Sequence, residues 1–338
     1  MIDKAIYDIL SGKDLSLDSA KSVMLQMMEG NATDSQMGAF LAAMRLKGES
    51  IDEITACAQV MREKCLRLCP QGDTLDIVGT GGDELHSFNI STVSAFVVAA
   101  GGVPVTKHGG RSVSSKCGSA DVLEALGVNI SLGASDSEKV LSETGMCFLL
   151  AQVYHSAMKH VAHVRKELGV RTIFNILGPL SNPAGANLQL LGVYDENLVE
   201  PLARVLKNLG VKRAMVVHGH DGLDEITLTG TSTICEVAGG RLSSYFITPE
   251  QFGLTRCTIA DLRGGGPSEN AAIAMDVLSG KPGPCRDIVV MNAACCLYMG
   301  HNNITMRECV RIAQELIDSG KAMAKLRDFI RISNEVAA

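Results

Sequence analysis

The chain has 338 residues, of which 46% are hydrophobic and 20% charged, and its formal net charge is −6. That mixture excludes disordered and fibrous classes and predicts two domains, or one large domain with a small one attached. A net negative surface is a poor partner for nucleic acid, and no apolar run reaches the ~18 residues of a membrane-spanning helix.

The first 70 residues read as helices. Asp18 is the expected cap of SAKSVMLQMMEG, which Gly30 ends; Thr33 or Asp34 caps SQMGAFLAAMRLKG. Ser50 followed by Glu53 is a capping-box signature for IDEITACAQVMREKCLRL. Pro70, Gln71, Gly72 and Asp73 break the helical pattern and mark the expected boundary. The eleven cysteines contain no CxxC pair, and Cys65 and Cys69 lack a second pair to complete a metal site. Reduced thiols in the cytoplasm are expected, in keeping with an N-terminus that lacks a secretory apolar core.

From residue 74 short apolar strands alternate with helices. LDIVG (75–79), VPVTKHG (103–109), CFLLAQ (147–152), LQLLGVY (188–194) and RAMVVHG (213–219) read as strands. This alternation predicts an α/β fold with a mostly parallel sheet flanked by helices. ITLTGTSTICEVAGGRLSSYFI reads as locally antiparallel, and the chain past about 267 as helical.

Four segments carry chemistry. In DIVGTGGDELHSFNIST, Gly79, Gly81 and Gly82 sit between a strand and a helix expected to start near Ser91, so backbone N–H groups and a helix N-terminus share one place. Asp83 needs a donor there or another role. An ordinary glycine turn capped by Ser91 gives the same pattern. In VTKHGGRSVSSKCGSADVLEALG, Lys107, His108, Arg111 and Lys116 interleave with glycines and serines and form a local anion site, with Ser119 as both N-cap and ligand. In GHDGLDEITLTG, Asp221, Asp224 and Glu225 suit a hard divalent cation shared with substrate phosphates. Finally, His155, Lys159, His163, Arg165 and Lys166 are read as occupying one basic helix, on which Arg165 suits a carboxylate ligand.

Taken together, GTGGD (79–83), FNIST (88–92), the lysine-107 loop, RTIFNILGPLSNPAGA (171–186) and HGHDGLDEITLTG (218–230) resemble the anthranilate phosphoribosyltransferases over essentially the whole chain. The resemblance implies a small N-terminal helical domain, residues 1–70 completed by a helix around 155–185, and a large α/β domain over 74–338. It implies a glycosyltransferase of tryptophan biosynthesis that moves the phosphoribosyl group of phosphoribosyl pyrophosphate (PRPP) to the amine of anthranilate. Two Mg2+ ions per site and a homodimer joined through the helical domain are implied too, with no nucleic-acid or membrane partner. PRPP would be held by Gly79, Gly82, Asp83, Ser87, Asn89, Ile90, Ser91, Thr92, Lys107, His108, Gly109, Gly110, Arg111, Ser112, Val113, Ser114, Ser115 and Ser119. Anthranilate would meet Gly79, Gly110 and Arg165, and the metal Ser91, Asp224 and Glu225.

Two departures stand out. KHGGR places Gly110 where the family has asparagine against the acceptor, and Ser156 stands where proline often follows histidine. No general base stands out; His108 and His155 are candidates by residue type only. The competing readings are a phosphorylase on the same fold, and a non-catalytic nucleic-acid-binding relative, which the net charge disfavours.

Overall fold

The computed structural model describes residues 1–112 and 116–337. Val113, Ser114 and Ser115 lie outside the described residues. The chain opens with helices α1 (Ile2–Leu10), α2 (Leu17–Met28), α3 (Asp34–Lys47) and α4 (Ile51–Lys64). Next come β1 (Leu75–Gly79), α5 (Ile90–Ala100), β2 (Val105–Gly109), α6 (Ser119–Ala125), α7 (Ala134–Thr144) and β3 (Met146–Leu150). A crossing segment holds α8 (Ala151–Tyr154), α9 (Lys159–Leu168) and α10 (Phe174–Leu180). β4 (Leu188–Gly192), α11 (Val199–Asn208), β5 (Arg213–Gly219), β6 (Ser232–Ala238) and β7 (Arg241–Ile247) complete the sheet. Four helices follow: α12 (Pro267–Leu278), α13 (Pro284–Gly300), α14 (Met306–Asp318) and α15 (Lys321–Glu335).

Local chemistry explains the helix starts. Thr33 with Gln36, and Ser50 with Glu53, both form reciprocal capping boxes. α2 begins earlier than expected: Ser16, not Asp18, is its cap, and the Ser16 hydroxyl accepts the Ser19 N–H at 3.3 Å. Ser16 occupies the extended backbone that a cap needs, whereas Asp18 already lies in the first turn, where its charge faces the helix dipole.

The seven strands lie in the order β3-β2-β1-β4-β5-β6-β7. β1 to β5 are mutually parallel, and β6 and β7 add an antiparallel hairpin through Gly239–Gly240, both at positive φ. Alternate residues serve opposite faces: Met215 and Val217 join the core under α5 and α13, while Ala214 and Val216 join the core shared with α1–α4, α9–α11. The N-terminal helices therefore bury their apolar faces against α9, α10 and one side of the sheet.

β1 is the switch point. The chain runs outward from it through β2 and β3, then returns to its other side as β4. Ligands of open α/β sheets bind outside the carboxyl ends of strands at such a point. Four of the parallel strands end in glycine: Gly79, Gly109, Gly192 and Gly219. A Cβ on Gly79 would lie 2.2 Å from Asp224 Oδ2, and one on Gly192 1.6 Å from the Asp224 carbonyl oxygen. The missing side chains let the 221–225 turn settle directly onto the strand ends.

Gly192→Ala is expected to cost about 1–3 kcal/mol of stability, because the clash is with backbone. Gly110→Ala, whose Cβ meets nothing closer than 3.8 Å, is expected to change stability by less than about 0.5 kcal/mol. Urea unfolding of the two variants measures the contrast.

Candidate active site

The 221–225 turn is built by Asp221. Its carboxylate accepts from the Leu223 N–H at 3.1 Å and from the Thr227 and Thr229 hydroxyls at 2.6 Å each. Asp221 is thus committed to the turn, and Asp224 and Glu225 are the acids it delivers to the site. Both are buried, at 8% and 7% exposure. Asp224 Oδ2 accepts the Gly81 N–H at 2.7 Å. Glu225 accepts from the Ser91 N–H in the first turn of α5.

Asp83 faces Asp224. Its Oδ1 accepts the Leu85 N–H at 3.3 Å, while its buried Oδ2 has no donor partner. Two carboxyl groups this close have only a shared proton to place between them. Burial, reinforced by mutual repulsion, pushes Asp224 and Glu225 well above the ordinary carboxylate range. Asp83 is raised by burial as well.

Lys107 lies beneath this cluster. It is 1% exposed, and its Nζ donates to the Ile77 carbonyl at 2.5 Å and the Ser91 hydroxyl at 3.2 Å. Burial lowers its pKa, opposed by the charges of Asp76, Glu225 and Asp224. One buried cation thus faces several buried carboxyls. Among the described residues no three His, Cys, Asp or Glu groups converge into a ready-made metal cage. The donor set suits Mg2+, which takes one or two carboxylates and draws its remaining ligands from phosphate oxygens and water.

The glycine-rich segment is placed as a helix start, with a shift. α5 begins at Ile90 with Asn89 as N-cap and no side-chain cap bond. Ser91 is therefore inside the helix, and its hydroxyl turns to Lys107. The Asn89 amide is tied on both sides, donating to the Cys117 carbonyl at 3.2 Å and accepting from Asn270 Nδ2 at 2.9 Å. Thr92 is buried with an unpartnered hydroxyl. Ser87 bridges Arg263, and the Gly264 N–H donates to the His86 carbonyl at 2.9 Å, so a second glycine run (264–266) backs the first loop.

The basic loop divides. Lys107 and His108 belong to β2 and are buried, whereas Arg111 turns outward and pairs with Asp121 at 3.1 Å and Glu124 at 2.8 Å. Lys116 is exposed. The four basic residues are not brought to one point, because residues 107–109 are held in the sheet and 111 follows its acidic neighbours on α6. Gly118, not Ser119, caps α6; the Ser119 hydroxyl donates to the Gly110 carbonyl at 3.3 Å and lies where a Gly109 Cβ would be. The Ser112 N–H donates to Asp121 Oδ2 at 2.9 Å.

A second set of groups gathers around α10. His108 Nδ1 lies 3.2 Å from the Gly178 carbonyl, and the His108 and His155 rings are 5.0 Å apart. His155 does not share a helix with Arg165. It sits at a break between α8 and α9 with φ −116 and ψ 56, buried against the Ser181 backbone. Burial holds both rings neutral, with pKa values lowered to about 3 for His108 and about 4 for His155. With Nδ1–H assigned toward the Gly178 carbonyl, the His108 Nε2 becomes an acceptor; both Nε2 atoms are buried and unpartnered. Arg165 stands over the Phe174 ring at 5.0 Å, makes no ion pair among the described residues, and is lowered in pKa by burial. Phe174 and Gly178 are four residues apart on α10, so Arg165 and His108 address the same helical face. His163 instead pairs with Asp34 at 2.9 Å.

The sequence pattern assigns no role to several members of this site. Asp76 on β1 is fully buried, accepting the His108 N–H at 3.2 Å and the Asn182 amide at 2.8 Å. It reads as one more strand position inside LDIVG. Asn182, Asn270 and Arg171 likewise gain their places only through long-range contacts.

The ligand-free protein is expected to have a stability maximum in the mildly acidic range. Asp224 and Glu225 have folded pKa values above their unfolded ones, so stability falls as pH rises from the ordinary carboxylate range into the neutral range. His108 and His155 have folded values below ~6.5, so stability falls again as pH drops from ~6.5 toward about 4. Asp224→Asn keeps the acceptor for Gly81 and should raise Tm at pH 8 by roughly 2 °C or more. Thermal melts between pH 4 and pH 8 read both limbs.

Comparison with known proteins agrees with this arrangement. A glycosyl transferase family model for a helical bundle domain matches residues 3–65, and one for an a/b domain matches 71–323. The anthranilate phosphoribosyltransferase of Ruminiclostridium cellulolyticum is 66% identical over 334 residues, covering 99% of this chain and 98% of that one. That of Methanobrevibacter smithii is 53% identical over 99% of this chain and 100% of its own length. The crystal structure of anthranilate phosphoribosyltransferase from Thermus thermophilus superposes with a TM-score of 0.93 at 42% identity, covering 98% of this chain and 99% of that one. The Saccharomyces cerevisiae enzyme in complex with PRPP and Mg gives 0.89 at 30% identity, over 99% and 98% of the two chains. Agreement of the matched families, the near-complete coverage and the sheet order places the chain in the anthranilate phosphoribosyltransferase family.

Proposed function

We propose that the chain transfers the phosphoribosyl group of PRPP to the amine of anthranilate and releases pyrophosphate. The observation that carries this reading is the carboxyl cluster of Asp83, Asp224 and Glu225, set at the switch-point end of β1 beside a glycine loop and a helix N-terminus. A buried acid excess with one lysine beneath it suits a metal-bound, highly charged phosphate ester.

The PRPP side would comprise Gly79, Gly82, Asn89, Ile90, Ser91, Thr92, Lys107 and Ser119. Backbone N–H groups and the first turn of α5 offer donors to the pyrophosphate. Lys107 supplies buried positive charge and orients Ser91. Mg2+, bound through Ser91, Asp224 and Glu225 together with the substrate, would neutralise the leaving group's growing charge. The proposed complement is two ions. Tight positioning and charge stabilisation, without a covalent enzyme intermediate, account for the transfer.

The acceptor side is assigned to Arg165, Gly79, Gly110 and the neutral His108–His155 pair. Arg165 pairs with no carboxylate among the described residues and matches that of anthranilate. The unpartnered Nε2 atoms present acceptors to an aromatic amine. Their low basicity suits orientation of the amine's N–H and lone pair more than proton removal in the first step. A phosphorylase reading gains nothing from the acidic cluster, and a net charge of −6 disfavours a nucleic-acid role.

The proposed division is a helical domain of residues 1–70, completed around 155–185, with the α/β domain over 74–338. The proposed assembly is a homodimer through α1 and α3, whose Tyr7, Leu10 and Leu46 are 70%, 66% and 85% exposed. We place the protein in the cytoplasm, in keeping with eleven free cysteines. No helix among the described residues is long and apolar enough to cross a membrane.

The deciding assay follows pyrophosphate release from PRPP and Mg2+ with and without anthranilate; no acceptor-dependent release refutes the reading. Gly110 has no positive φ and leaves room beyond its Cα, so Gly110→Asn is expected to fit. It should lower the anthranilate KM by up to about tenfold, the effect of one added hydrogen bond, and leave that of PRPP unchanged. Sedimentation at micromolar concentration should show a dimer that Leu46→Glu converts to monomer.

A further inference from the structure

Arg171 lies between α9 and α10, six residues beyond Arg165, on the segment that carries the acceptor groups. Its side chain reaches away from them to the first glycine loop. Nη2 donates to the Gly82 carbonyl at 2.5 Å and lies 3.5 Å from Glu84 Oε1. The guanidinium carbon sits 4.3 Å from the centroid of the Tyr194 ring. Tyr194 follows β4 and is itself tied to the loop, its N–H donating to Thr80 Oγ1 at 3.2 Å.

The loop needs such a hold. Gly81 and Gly82 have φ 68 and 81, and Glu84 and His86 have φ 59 and 56. Side-chain-bearing residues avoid that region, and a run of this kind persists only where its surroundings over-determine it. Asp224 accepts the Gly81 N–H on one side; Arg171 takes the Gly82 carbonyl on another. A peptide unit is planar, with its C=O and N–H opposed. Directing the Gly82 carbonyl to Arg171 therefore fixes the opposite direction of the Asp83 N–H, at the residue whose carboxyl adjoins Asp224.

We infer that Arg171, stacked on Tyr194, is a positioning residue that sets the glycine loop in its phosphate-receiving shape before substrate arrives. A flat, stacked guanidinium suits this task better than lysine, because the ring restricts its rotation while its edge donates. The inference rests on the proposed function, which makes this loop the pyrophosphate site.

The test uses the full-length protein and Arg171→Gln, with Arg171→Lys as the conservative variant. Hydrogen exchange of peptides spanning 79–88, without ligand, should speed up in Arg171→Gln, while Tm stays within a few degrees of wild type. Calorimetric PRPP affinity with Mg2+ should weaken about tenfold, and the anthranilate KM should move less than twofold. Arg171→Lys should recover part of the PRPP loss. Unchanged loop exchange, unchanged PRPP affinity, or a collapse of Tm with both substrates weakened alike overturns the role of Arg171. A wild-type protein that fails to bind PRPP refutes the proposed function itself, a result the variants do not produce when wild type binds.

Discussion

The seating of one acidic turn on the ends of β1 and β4 is the constraint on which the rest depends. Gly79 and Gly192 give up their side chains so that Asp224 can rest its backbone on one strand end and its carboxyl on the other. From there its carboxyl reaches the Gly81 N–H and Asp83, and its neighbour Glu225 reaches the start of α5. Asp221 makes the turn rigid by spending its own carboxylate on two threonines and a backbone N–H. A sheet whose order reverses at β1 supplies the crevice, and the turn supplies its charge.

That charge is held at an energetic cost. Carboxyl groups buried against one another are disfavoured in their ionised form, and Lys107 offsets only part of the excess. A site balanced in the absence of ligand would have little to offer a cation and a pyrophosphate. An unbalanced one is relieved when they bind, so the same repulsion that weakens the ligand-free fold favours the loaded state.

The acceptor side follows the opposite logic. His108 and His155 are kept neutral by burial, anchored to the backbone of the 178–181 stretch, and left with open acceptor atoms. Arg165 contributes a positive charge over Phe174, on the face of α10 that His108 also meets. α10 organises this side because Phe174 and Gly178 share its face. The two halves of the site thus differ in polarity, in line with one substrate that is a polyanion and another that is an aromatic acid with a weakly basic amine.

Fold class, the order of strands and helices along the chain, the capping box at Ser50, a cap at Thr33 or Asp34, and the acidic and glycine-rich segments are all legible in the sequence. These are local: periodicity, caps and turn residues act within about ten positions. It also pointed to Gly110 as a departure, though whether that glycine serves backbone geometry needed its φ and surroundings. Which charged residues meet depends on the assembled fold. Arg111 was as basic in the text as Lys107, yet one faces Asp121 and Glu124 and the other lies buried under Ser91. His155 stands at a break between α8 and α9, off the helix that carries Arg165. Asp76, Asn182, Asn270 and Arg171 join the site across sequence separations that no local pattern reports. Which partners a side chain meets at such separations depends on strand order and on where glycine allows close approach, and both are properties of the assembled sheet.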